Sequence, residues 1–368
     1  VTTVDPVLLD ALIHAPVDDL LALGAALVAV PSVSHAEGPI TGAIEQRLRT
    51  RAPNLELTRI GDNIVARTSL GRDRRVLVGG HVDTVPVNDN AVAVVEGDVL
   101  RGLGSADMKG SLAALLALAE RASAREPRVD VTFCWYAGEE VVDEFNGLRH
   151  LFEVAPELLA CDLAILAEPT DGWVEAGCQG TIHLRAGFSG ARAHTARPWM
   201  GENAIHKATR VLERIAAHES DTVSVDGLDF RESVQVVSIE GGVANNVVPD
   251  HCTLVVNRRF APKYSIDEAR AQVEALLDGA DSIELVSAAP AAAPGLTNAL
   301  VAEFVGTLDL SVRPKLGWTD VARFTSHGIP ALNFGAGDPT IAHTQGELVT
   351  RDSVEGCFNV LAEFLGLR

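Results

Sequence analysis

Four short apolar segments of this chain each run into a residue able to bind a metal ion, and that recurrence limits the fold more than any other feature. Val76-Leu77-Val78 passes through two glycines to His81 and Asp83. Val131 to Tyr136 leads to Gly138, Glu139 and Glu140, Leu163 to Leu166 leads to Glu168 and Pro169, and Ala331 to Phe334 precedes a glycine-rich loop carrying His343. Uninterrupted apolar runs of this length suit strands covered on both faces. In open α/β sheets, ligands bind beyond the carboxyl ends of such strands, so if these four are neighbours their polar ends converge. An Ala- and Leu-rich segment between them, Met108 to about Ala124, reads as an amphipathic helix ended by Pro127 and is expected to cover one face of the sheet.

At 368 residues the chain exceeds one ordinary core, so two compact domains are expected. Its middle has a different rhythm: strand Thr181 to Phe188, helix Asn203 to His218, strands Ser233 to Ile239 and Thr253 to Phe260, helix Ile266 to Leu277 and strand Ile283 to Ser287. That β-α-β-β-α-β order is the ferredoxin-like plan. Ala288 to Gly295, with Pro290 and Pro294, reads as a linker, and the segment from Asp352 as a closing helix. The expected fold class is therefore α/β: a catalytic domain, residues 1–177 and 291–368, with a central mostly parallel sheet flanked by helices, and an inserted ferredoxin-like α+β domain, residues 178–290.

Thirty Lys and Arg stand against 50 Asp and Glu, a formal charge of −20, which repels phosphate backbones and anionic membranes. Nucleic acid and membrane are thus excluded as expected partners, and an anionic substrate would need locally placed arginines. The first basic residue is Arg47 and the apolar run Leu20 to Val30 stops at Pro31, so neither a targeting leader nor a membrane span is expected, and the chain reads as cytoplasmic. Five scattered cysteines (Cys134, Cys161, Cys178, Cys252, Cys357) without a C-x-x-C pair point to buried free thiols.

Each polar strand end also has an ordinary explanation when taken singly. His81 and Asp83, at i and i+2, share a side of an extended chain, so Asp83 can take the second imidazole proton of a metal-bound His81; a plain structural His-Asp bond is the alternative. Asp107, in the glycine-rich segment Arg101 to Gly110, suits a helix cap, yet a carboxylate can also bridge two cations. Adjacent Glu139 and Glu140 repel each other unless positive charge lies near. Their joint occurrence favours a metal site.

These stretches together, His81-Val82-Asp83-Thr84-Val85, Arg101 to Gly110, Ala137-Gly138-Glu139-Glu140, Ala167-Glu168-Pro169 and Ala342-His343-Thr344, resemble in order the five motifs of the di-zinc aminoacylase and carboxypeptidase family. The inserted segment Ser189 to Pro198, followed by Asn203-Ala204-Ile205, is similar to that family's lid and dimerisation domain. The resemblance implies one metal on His81, Asp107 and Glu168 and a second on Asp107, Glu140 and His343, most simply zinc, with cobalt or manganese also suited to one position. It further implies Glu139 as general base, Asp83 as the residue orienting His81, a cis Asp107-Met108 peptide, and a homodimer in which His194 donates to an oxyanion in a partner's site.

Finer likeness, through Ala196-Arg197-Pro198-Trp199, Gly317 to Phe324 and Asn333 to Pro339, implies a branch that removes succinate from N-succinyl-LL-2,6-diaminopimelate. Deacylation of N-acetylornithine or another N-acyl amino acid, or dipeptide cleavage, is the alternative, and a non-catalytic metal-binding relative is a third reading that the presence of Glu139 disfavours. Asn245, Arg259, Thr319 and Arg197 fall where substrate contacts are expected, an arginine suiting a carboxylate. Cys178-Gln179 stands at the hinge where many relatives carry basic residues.

Overall fold

The computed structural model describes residues 4–368. The chain forms two compact units: the larger runs to Ala176 and takes in Gly295–Arg313 and Arg323–Arg368, and the smaller comprises Gly177–Pro294 and Pro314–Ala322. Thr319 thus belongs to the smaller unit.

An eight-stranded sheet organises the larger unit, with the strands in the order Glu56–Ile60, Asn63–Arg67, Asp130–Tyr136, Arg75–His81, Leu163–Leu166, Ala331–Asn333, Val174–Cys178, Val312–Lys315. The four segments expected to be neighbours are adjacent and parallel, as their unbroken apolar runs require. Antiparallel strands flank them, Asn63–Arg67 beside Asp130–Tyr136 and Val174–Cys178 beside Ala331–Asn333. Register levels the carboxyl ends: His81 lies opposite Tyr136, Gly79 opposite Leu166, and Leu166 opposite Asn333. Every residue of Asp130–Tyr136 and Leu163–Leu166 is buried.

The helix expected from Met108 begins later, at Gly110, and runs to Ala124. Before it, Ser105–Lys109 forms a wide π-type turn in which Asp107 and Met108 leave helical geometry, and the Asp107-Met108 peptide is cis. The helix is buried almost all round rather than on one stripe, because helices Leu20–Ala29 and Arg351–Leu365 also pack against it. Its small residues permit that approach. The closing helix is capped by the Thr350 side chain at one end and left-handed Gly366 at the other.

In the smaller unit, four antiparallel strands lie in the order Ser233–Gly241, His251–Phe260, Gly180–Ser189, Ser282–Ala289. Helices Ala204–Ala216 and Ile266–Leu276 pack on the sheet over a core including Leu184, Phe188, Val211, Leu254 and Phe260. That is the ferredoxin-like arrangement. It also holds a hairpin, Thr222–Val225 with Leu228–Arg231, absent from the sequence reading. Its turn residues Asp226 and Gly227 both have positive φ, 50° and 82°, the geometry an Asp-Gly pair supplies between twisted strands. Among the described residues no helix is long and apolar enough to cross a membrane.

Candidate metal centre

His81 closes its strand with its ring 1% exposed. Nδ1 lies 3.0 Å from the backbone carbonyl of Asp83 and 3.5 Å from its Oδ1, while Nε2 lies 3.0 Å from Asp107 Oδ1. Two acceptors therefore hold the proton on Nδ1, and Nε2 faces the carboxylate cluster. The nearer of the two acceptors is the Asp83 carbonyl. The Asp83 carboxylate instead works mainly as an anchor: Oδ1 accepts the Glu139 amide, and Oδ2 the Glu140 amide, at 3.1 Å each, and Oδ2 also accepts Ser34 Oγ at 2.8 Å.

The turn that carries Glu139 and Glu140 begins at Gly138, whose φ of 70° suits glycine and whose missing side chain leaves room for the Phe145 carbonyl. Glu168 follows its buried strand and is 5% exposed. His343 lies on a loop beyond Asn333, in a left-handed conformation with φ 62°, and its Nε2 is 2.9 Å from Glu140 Oε1.

Asp107 joins these groups. Oδ1 faces His81 Nε2 at 3.0 Å, and Oδ2 faces His343 Nε2 at 3.4 Å, so its two oxygens serve different imidazoles. Ligand atoms of His81, Asp107 and Glu168 lie within 4.8 Å of one another, as do those of Asp107, Glu140 and His343, and those of His81, Glu139 and Glu140. Burial acts to push the His81 pKa down, but the Asp107 and Asp83 carboxylates overcome it and hold the ring well above its ordinary value. Hydrogen bonds to Asp107 and Glu140 raise His343 to about 10. Burial would raise Asp107, yet His343 and His81 hold it far below the usual carboxylate range. Both imidazoles are thus held above their ordinary pKa by the surrounding carboxylates, a field that favours positive charge. Hard carboxylates and imidazoles gathered in such a field fit divalent cations.

Three residues outside the expected ligand set support the cluster, Lys109 and Glu347 buried and Ser34 half-buried. Lys109 Nζ donates to the Val30 carbonyl at 2.9 Å, and burial draws its pKa down to about 7. Glu347 Oε1 accepts the amides of Ala106 and Asp107 at 3.0 and 3.1 Å. Ser34 acts on Asp83 as described. Only Glu347, four residues beyond His343, carries a spacing signal.

The other expected site residues lie in the smaller unit. His194 Nδ1 accepts the Ala196 amide at 3.0 Å, which puts its proton on Nε2, and His194 forms a bridge with Val247 close to Asn245. Arg197 donates its backbone amide to the His194 carbonyl at 2.7 Å. Cys178 Sγ lies 3.8 Å from the carbonyl of buried Thr319, and Arg259, its pKa lowered by burial, is within electrostatic reach of Cys178. Gln179 is tied to the Arg231 carbonyl at 2.7 Å.

This fold and centre are those of a hydrolase class, and the chain belongs to Peptidase family M20/M25/M40, whose profile matches residues 77–366. It is 43% identical over 349 residues, 95% of this chain and 98% of the relative, to a putative succinyl-diaminopimelate desuccinylase of Mycobacterium tuberculosis. It is also 43% identical over 354 residues, 94% of this chain and 96% of the relative, to a succinyl-diaminopimelate desuccinylase of Corynebacterium glutamicum. Among solved structures, a tripeptidase from Staphylococcus aureus is similar in fold, with a TM-score of 0.78 at 20% identity, covering 95% of this chain and 98% of that one. A Bacillus subtilis protein described as a dinuclear metal binding peptidase of the M20 family gives a TM-score of 0.71 at 15% identity, covering 95% and 97%.

Proposed function

We propose that this hydrolase is a two-metal amidase that releases succinate from N-succinyl-LL-2,6-diaminopimelate. The observation that carries the two-metal reading is Asp107, whose oxygens face His81 and His343 separately. Identity of 43% to two actinobacterial desuccinylases over nearly the whole chain supports the substrate. His81, Asp107 and Glu168 hold one ion, and Asp107, Glu140 and His343 the other, with zinc the expected metal and cobalt or manganese able to replace it in one position. Bound ions supply a Lewis-acidic centre that acidifies water and polarises the scissile carbonyl. Glu139 takes the proton of the attacking water and delivers it to the leaving amine, its backbone held for that purpose by the hydrogen bond its N–H donates to Asp83 Oδ1.

The smaller unit serves as lid and dimerisation domain. Two chains pair through it, and each His194, protonated on Nε2, supplies an oxyanion donor to the partner's site. Arg259, Arg197, Asn245 and Thr319 recognise the substrate's carboxylates and polar groups. Free amino-acid chemistry of this kind suits a cytoplasmic protein.

Purified protein given N-succinyl-LL-2,6-diaminopimelate, N-acetylornithine and a dipeptide in parallel is expected to release succinate fastest and to stop after chelation, with activity restored by zinc or cobalt. Faster turnover of N-acetylornithine or the dipeptide overturns the substrate assignment. Undiminished turnover by metal-stripped protein overturns the two-metal reading.

A further inference from the structure

We infer that Glu347 is a positioning residue that holds the Asp107 loop and the His343 loop in one register, and so sets the geometry between the two metal positions. The inference rests on the two-metal reading above. Its carboxylate is 1% exposed and spends one oxygen, Oε1, on two successive backbone amides, those of Ala106 and Asp107. Burying an acidic side chain to tether a loop is costly, and the two amides on Oε1, both from the turn that aims Asp107, offset only part of that cost.

The other end of the tether is equally specific. Glu347 donates its amide to the Thr344 carbonyl at 3.3 Å, closing the turn that begins beside His343, and accepts the Gly102 amide at 3.3 Å. It directly precedes strand Leu348–Thr350, which pairs with Val99–Arg101, the strand leading into the Asp107 turn. Buried Lys109 is within electrostatic reach of the carboxylate. One side chain thus connects the segments bearing Asp107 and His343, residues 236 positions apart that face each other at 3.4 Å. Movement of the Asp107 amide by a fraction of an ångström would shift an oxygen in each metal group.

The test compares Glu347→Gln, Glu347→Asp and Glu347→Ala by cobalt(II) titration of metal-stripped protein, read from the visible absorption of the bound ion. Gln keeps an acceptor oxygen at the same reach and is expected to bind both cobalt ions within about threefold of the unaltered protein. Asp keeps the charge but is one methylene shorter, and Ala removes the acceptor; both are expected to lose about 10- to 100-fold in cobalt affinity and to show an altered spectrum. At saturating metal, their kcat should fall with KM little changed. If Ala does not fold, the Asp and Gln pair carries the comparison alone. Native cobalt affinity and spectrum in Glu347→Asp, or loss in Gln as great as in Asp, overturns the inference. Failure of the unaltered protein to bind two ions overturns the two-metal reading instead, and absence of succinate release with two ions bound overturns only the substrate.

Discussion

Ser34 Oγ donates to Asp83 Oδ2 at 2.8 Å, joining an N-terminal loop to the carboxylate that holds the amides of Glu139 and Glu140. The loop itself is fixed by a parallel bridge between Val33 and Thr84. Asp83 is fully buried, so each of its donors offsets part of the cost of desolvating the charge.

Asp83→Asn is therefore expected to damage the site more than its similar shape suggests. An amide has one acceptor oxygen, and whichever way it turns, its NH2 faces the Glu139 or the Glu140 N–H. Both the aim of His81 and the seating of the two glutamates suffer, with a loss of about 10- to 100-fold in activity or metal affinity. Ser34→Ala keeps the carboxylate and removes one donor, which costs about 1–3 kcal/mol of stability and only a few-fold in turnover. Chemical denaturation beside turnover at saturating metal checks the ordering; Asn and native proteins with equal kcat and equal metal affinity would remove Asp83 from the positioning network.

Glu139→Gln is expected to keep both metals and lose about 10²- to 10⁴-fold in kcat, the range for removing a general base. The geometry makes this a sharp test, since Glu139 also lies in a group with His81 and Glu140 close enough to share an ion. Elemental analysis of the purified variant decides between the roles. Loss of metal along with activity would make Glu139 a ligand.

Much of the centre is legible because parallel, doubly covered strands write themselves as apolar runs whose first polar residue marks the sheet's edge. His81, Glu139, Glu140 and Glu168 follow that rule, and register then brings their strand ends level. Asp107 is harder, because its turn sits before a helix where a capping aspartate reads the same way. The supports leave weaker traces still: Ser34 is 49 residues from Asp83, and Glu347 is 241 from Ala106, distances at which no periodicity survives. The burial of Gly110–Ala124 on nearly every side likewise depends on two helices distant in sequence. The Asp226-Gly227 hairpin is a different omission, since its turn signal is local and was available.

Acid stability should depend on Asp130, remote from the metal positions. Its oxygens accept Thr68 Oγ1 at 2.7 Å and the amides of Leu70 and Arg72 at 2.9 Å each. Burial raises its pKa, but these bonds and Arg75 outweigh that and leave it below its ordinary value. A carboxyl with a depressed folded pKa contributes stability above its unfolded pKa, about 3.9, and loses that contribution as pH falls through the folded value. The stability difference between the native protein and Asp130→Asn should thus be constant from neutrality to about pH 4 and narrow below it. Denaturant unfolding of both proteins from pH 7 to pH 3 measures this; a difference that widens on acidification would reverse the sign of the argument.

Gly335→Ala tests how closely the sheet supports Glu168. The residue lies just beyond strand Ala331–Asn333, and its amide and carbonyl both bond to Thr170 Oγ1 at 3.1 Å. A Cβ there would collide with the Ala167 carbonyl oxygen and stand 2.5 Å from that of Glu168, atoms of backbone that no rotamer change can move aside. Either the loop beyond the strand lifts or the Glu168 backbone shifts, at a cost of about 1–3 kcal/mol for overpacking. Glu168 belongs to the group with His81 and Asp107, so that position should release its ion to a weak chelator before the Glu140 and His343 position does. Gly356→Ala is the matched control: it lies inside helix Arg351–Leu365 with nothing within 4 Å of the added carbon, and should raise stability by about 0.5–1 kcal/mol through helix propensity. Thermal melts of both variants, paired with metal content after graded chelation, separate the two expectations. A Gly335→Ala protein that melts like the control and keeps both ions equally would show that the Glu168 backbone has slack the structure does not display.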